Sequence, residues 1–188
     1  TRPRAAYASV AEYTGSSSGV SGTIVVHDTS DGIAVTGTLT GLEASATGGF
    51  HIHAGVSCAS ATDIGALYYD GVSTNPWGTV MYTSDTNGVA TVDFAVAALS
   101  LGGDYPVAGR VVVVHDSSGG YAGCGSLMST AGEVVSLASY PDYSGSYTSV
   151  MGTLVVENNA DFVSSGITIT GTLAGLEASV TGGIHIHE

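Results

Sequence analysis

The feature that most restricts the folds open to this chain is an internal repeat. Residues Thr47-Gly48-Gly49-Phe50-His51-Ile52-His53 return as Thr181-Gly182-Gly183-Ile184-His185-Ile186-His187, 134 residues further on (185 − 51 = 134). The residues leading in match as well: Ile33 to Ser45 reads IAVTGTLTGLEAS, and Ile167 to Ser179 reads ITITGTLAGLEAS. Self-similarity of this kind marks a tandem array of one structural unit. In 188 residues that spacing leaves room for one whole unit and the opening part of another. The expected division is a complete domain over residues 1–131 and the first half of a second over 132–188, with almost no linker, because strand-like residues resume at Glu133-Val134-Val135.

Within each unit the side chains alternate with period two. Ile33, Val35 and Leu39 fall on one face; Ala34, Thr36, Thr38 and Thr40 fall on the other. Val92, Phe94 and Val96 oppose Thr91, Asp93 and Ala95 in the same way. Asp31-Gly32, Asn87-Gly88, Gly102-Gly103 and Gly119-Gly120 punctuate these runs. Short alternating runs between such turns predict an antiparallel β-sandwich or barrel. Strands are expected near 5–13, 21–28, 33–41, 48–54, 79–85, 89–97, 107–115 and 124–129, with a second set near 134–143, 150–157, 166–174 and 182–188. No segment has a helical period. Residues 55–78 form a long loop holding Cys58, Tyr68-Tyr69 and the single tryptophan, Trp77; loops of that length are functional or tied down.

Charge excludes whole classes of partner. The basic residues are Arg2, Arg4 and Arg110 alone, there is no lysine, and the net charge is −13. Nucleic acids and anionic membrane surfaces need a basic footprint, so neither is an expected partner. No run of 18 apolar residues exists that could cross a bilayer as a helix. Two cysteines, Cys58 and Cys124, fit one disulfide in an oxidising compartment, or two buried thiols. The first of these points to a secreted, extracellular protein.

The histidines carry the chemistry. On a strand, His51 and His53 project on one face while Phe50 and Ile52 project on the other. That is half of a metal site, and His185 and His187 repeat it. His27, beside Asp28, reads as a surface histidine; its counterpart in the second unit is Glu157.

Together, Gly49-Phe50-His51-Ile52-His53, a cysteine soon after, Val112-Val113-Val114-His115-Asp116 and Gly123-Cys124-Gly125 resemble the copper/zinc superoxide dismutase domain. The resemblance covers residues 5 to about 130 and again 134–188. It implies an all-β fold, an eight-strand antiparallel Greek-key β-barrel, with Cys58 and Cys124 as its disulfide. It places His51, His53 and His115 on three of the family's four copper ligands. The departures are specific. Leu67 stands where the family has a metal-bridging histidine, residues 70–86 contain no histidine, and Tyr121 stands where the family has its active-site arginine. Copper in a three-histidine site is therefore the expected cofactor, zinc is not expected, and no residue is assigned a catalytic role. His185 and His187 make a partial second site. The expected function is an extracellular structural tandem-repeat protein of superoxide-dismutase-like barrels. Its expected partner is itself, as a head-to-tail homo-polymer or further repeats of the same chain. The alternative is a copper-only dismutase-like repeat protein or a copper-binding module.

Overall fold

A computed structural model describes residues 5–14, 16, 18–130, 132–139, 145–146, 150–159 and 166–186. His187 of the expected partial second site, Glu188 and the tyrosines Tyr140, Tyr143 and Tyr147 lie outside the described residues.

Alternation becomes strand wherever a neighbour can take up the backbone hydrogen bonds. In the first unit these strands are β1 (Ala5–Glu12), β2 (Ser21–Asp28), β3 (Gly32–Thr40), β4 (Thr47–His53), β5 (Met81–Thr83), β6 (Ala90–Ala97), β7 (Val111–His115), β8 (Tyr121–Ser126) and β9 (Met128–Thr130). They pair antiparallel in the order β5-β4-β7-β8-β1-β2-β3-β6, with β9 alongside β1. The connections from β3 to β4 and from β6 to β7 cross between the two halves of this order, which is the Greek-key pattern. The end strands β5 and β6 follow one another through a tight turn at residues 85–88, so the sheet curls into a nearly closed barrel. Its interior takes the expected apolar sets: Ile33, Val35 and Leu39, Val92 and Val96, and from β4 Phe50 and Ile52.

Some runs differ from the alternation, and that expected near 79–85 is a strand only over Met81–Thr83. Residues 107–110 turn instead of extending, with Gly109 at φ 83° and the Arg110 amide donating to the Val107 carbonyl. The last run divides at Leu127, whose amide donates to the Arg110 carbonyl. The long loop also holds two short helical turns that no periodicity announced, α1 (Ala61–Ile64) and a 3-10 turn (Pro76–Thr79). Each is nucleated by a local cap: the Ser60 hydroxyl accepts from the Asp63 amide, and the Asn75 side chain accepts from the Trp77 amide.

The second repeat forms a separate antiparallel sheet, β10 (Glu133–Leu137), β11 (Met151–Asn159) and β12 (Gly166–Ala174). Its register copies the first unit. Val10 pairs with Gly22 and Gly22 with Leu39; Leu137 pairs with Gly152 and Gly152 with Leu173. The strand expected near 182–188 does not form over 182–186. In the first unit that string is held between β5 and β7; among the described residues no strand pairs with it here.

The two sheets meet through threonine-rich outer faces. Thr23 and Val25 point out of the first barrel yet are buried, because β11 and β12 lie over them. The Thr23 and Thr172 hydroxyls are 3.0 Å apart, and Thr153 and Val155 are buried on the facing side. Glu157 ties the contact down at one end, accepting from the Tyr7 and Thr130 hydroxyls. The opposite face of the second sheet, which corresponds to the interior of the first barrel, is open at its Ile167–Ile169 end, while Leu154 on it is buried. Ile167 is 51% exposed where its counterpart Ile33 is 1% exposed. A Val155→Asp substitution places an unpaired charge in this contact, at a cost of about 3 kcal/mol or more. The expected outcome is rapid protease cleavage within 133–174 with the melting of the first barrel unchanged. Equal protease resistance in both proteins would show that the contact does not hold the sheet.

Candidate metal centre

The pleat of β4 creates the site. Phe50 and Ile52 enter the barrel core, so His51 and His53 must emerge on its outer face. Strand β7 pairs directly with β4, placing Val113 opposite His51 and Val111 opposite His53. His115, two residues beyond Val113, projects on the same outer face, and a register shift between Val114 and His115 against β8 ends the regular ladder there. One nitrogen from each of the three rings lies within 4.8 Å of the others. Gly49 leaves the room this needs: a Cβ there would stand 2.7 Å from His51 Cε1.

The long loop completes the arrangement. The Cys58–Cys124 disulfide fastens it to β8, and Ile64 packs beneath it on Val111, Val113 and Cys124. Arg110 clamps its base, with its guanidinium 4.3 Å from the Tyr68 ring centroid and a bond of 2.5 Å to the Ala54 carbonyl. This brings the Gly65 carbonyl to 2.9 Å from His53 Nδ1. The Gly119 carbonyl lies 3.1 Å from His115 Nδ1. A carbonyl only accepts, so in both rings Nδ1 carries the proton and Nε2 presents a lone pair. Those two Nε2 atoms are 3.3 Å apart, and His51 Nδ1 is buried with no hydrogen-bond partner. Lone pairs brought this close repel one another unless a cation sits among them. A backbone acceptor on the remote nitrogen is also how metal-binding imidazoles are oriented. The donor set therefore fits a metal ion.

Protonation does not relieve the crowding at neutral pH. Burial pushes the His51 imidazole down to about 4, helped by the charges His115 and His53 would carry and opposed by the Trp77 backbone. Burial is also the main cause lowering His53 and His115, against the pull of the Gly65 and Gly119 carbonyls. Around the cluster, Trp77 meets the His51 ring edge-on at 6.1 Å, and Tyr121 meets His53 and His115 edge-on at 5.9 and 5.3 Å. The three histidines open into a cleft of about 530 Å³ that Leu67 and Met81 also line.

Residues 20–135 match the sequence profile of copper/zinc superoxide dismutase (SODC). The chain belongs to the copper/zinc superoxide dismutase family. The family barrel, its disulfide and a three-histidine cluster that could hold a metal are all present in the first unit.

The departures from the family pattern also have definite places. Leu67 forms a backbone bridge with His53 and turns an apolar side chain to the cleft. Tyr121 packs against two of the histidines and against Tyr13, so no guanidinium faces the cleft from that position. Arg110 is committed to the loop base. His27 is half-buried and outside the cluster. His185 lies on an exposed segment, and among the described residues no second group of three ligating side chains forms. The two orienting carbonyls and Met81 were not legible in the sequence: backbone acceptors have no side-chain signature, and Met81 becomes a neighbour of His51 only through the β4–β5 register.

The lowered imidazoles have a pH signature. Above about pH 6.5 they are neutral in both folded and unfolded chains, and the stability difference is constant. Below that value the unfolded chain binds protons that the folded imidazoles resist, His51 until about 4, so metal-free stability is lost as the pH falls. Urea midpoints of metal-free wild type and His51→Leu, compared at about pH 7 and about pH 4.5, are expected to fall further for wild type. Parallel falls would place His51 in an ordinary solvated setting.

Proposed function

We propose that this chain belongs to an extracellular structural array of superoxide-dismutase-like barrels, built into filaments through contacts between units, and that its first unit holds copper without turning it over. The observation that carries the array is the second sheet. It repeats the register of β1–β3, docks by its threonine face, and leaves the core-type face of Ile167 and Ile169 open. Open sheet edges and apolar faces are templates for pairing. Strands equivalent to β4–β9 complete this second barrel, from further repeats of the natural chain or by strand addition from a neighbour. The docked face is self-complementary, since Thr23 meets Thr172, whose counterpart in the first unit is Thr38. Self-complementary contacts close on themselves, so growth runs through the open face, where head-to-tail addition does not close. The disulfide supports an oxidising, extracellular setting.

The copper reading rests on the donor set. His51, His53 and His115 would hold the ion, and three imidazoles without a fourth suit its reduced, monovalent state. Bound copper would supply one-electron redox chemistry. Fast dismutation is disfavoured because Leu67 replaces the bridging imidazole, Tyr121 replaces the arginine, and a net charge of −13 repels superoxide. Zinc needs about four nitrogen, sulfur or oxygen ligands, and residues 54–114 contain no histidine.

The histidine cluster by itself favours the alternative of a copper-only dismutase-like repeat or copper-binding module. Sedimentation velocity and electron microscopy of the full chain, with metal analysis, separate the readings. The expected result is assemblies larger than a monomer, dispersed by Ile169→Glu, with copper and no zinc. A compact monomer with 133–186 protected from protease would end the filament reading. Copper-dependent dismutation near the diffusion limit in that monomer would establish the alternative.

A further inference from the structure

We propose that the thioether of Met81 is a fourth, soft ligand to an ion held by His51, His53 and His115, and selects monovalent copper; this rests on the copper reading above. Met81 lies on β5 directly opposite Gly49 in an antiparallel pair. Directly opposed residues project on the same face. Gly49 and His51 are two apart on β4, so Met81 shares the face of His51. The intervening position, Gly49, has no side chain. Met81 lines the same cleft as all three histidines.

Its packing gives no other account of it. Met81 is 48% exposed and belongs to neither buried cluster. The other two methionines lie elsewhere: Met128 pairs with Tyr7 on the far side of the sheet order, and the Met151 sulfur accepts from the Thr91 hydroxyl at 3.6 Å. Methionine is unbranched with three rotatable bonds, so an edge-strand thioether can swing over an adjacent site. Thioether sulfur is a neutral soft donor that favours Cu(I) and has little affinity for hard divalent ions. With Leu67 also lining the cleft, the environment is three imidazoles, one thioether and an apolar side chain. That combination withholds the fourth nitrogen that oxidised copper prefers and offers sulfur in its place.

The test uses the full chain labelled with carbon-13 at the methionine methyls, titrated with Ag(I) as a redox-inert substitute for Cu(I). One equivalent is expected to shift the Met81 methyl together with the three imidazoles and to leave the Met128 and Met151 methyls in place. Met81→Leu keeps size and apolarity. It is expected to weaken Cu(I) in competition with a chromogenic chelator by at least the roughly tenfold that loss of a mere supporting residue brings, with Cu(II) affinity nearly unchanged. Imidazole shifts without a Met81 shift would overturn the proposal and leave the copper reading intact. Absence of both would overturn the copper reading and the proposal with it.

Discussion

The pleat of a single strand organises this molecule. On β4, Phe50 and Ile52 enter a core that excludes water, and His51 and His53 are thereby fixed on the opposite face. Neither set can move without the other, since a slip of one residue would bury two imidazoles and expose two large apolar side chains. The outer face then needs a cover, and the loop pinned by Cys58–Cys124 provides it, delivering the Gly65 carbonyl to His53. The histidine cluster is thus a by-product of barrel closure plus one staple. Its rigidity is that of the barrel.

The same outer-face logic explains how a second repeat can dock. Strand faces that point away from a barrel are normally polar and wet. Here Thr23, Val25 and Thr38 make a face polar enough to tolerate water and flat enough to be covered. Threonine serves because its methyl packs while its hydroxyl finds a partner, as Thr23 does with Thr172. The second sheet, using its own threonine face, turns its isoleucines outward. On the proposed reading that open face is where the array continues.

Much of this was legible from residue order. Period-two alternation located the strands of the first unit to within a few residues, because each has a neighbour that satisfies its backbone. The same alternation misplaced 182–186, where the side-chain pattern is strand-like but no ladder forms among the described residues; side chains propose a strand and the adjacent backbone decides it. The His-x-His spacing and His115 pointed to one cluster, and the structure brings them together. What stayed hidden was whatever acts through backbone or register: the carbonyls of Gly65 and Gly119, the register shift at His115, and Met81 beside Gly49. In the sequence Trp77 is marked only as part of the long loop and Tyr121 only as the residue in place of an arginine, yet their rings pack against the histidines.

On the proposed reading the cluster keeps copper reduced, with the apolar Leu67 in the cleft in place of a fourth imidazole. X-ray absorption and EPR of the copper-loaded full chain, before and after exposure to air, test it most directly. The account predicts a slowly oxidising Cu(I) edge in wild type, and a prompt Cu(II) signal with four nitrogens in Leu67→His. A wild-type chain that gives a stoichiometric four-nitrogen Cu(II) spectrum at once would contradict it.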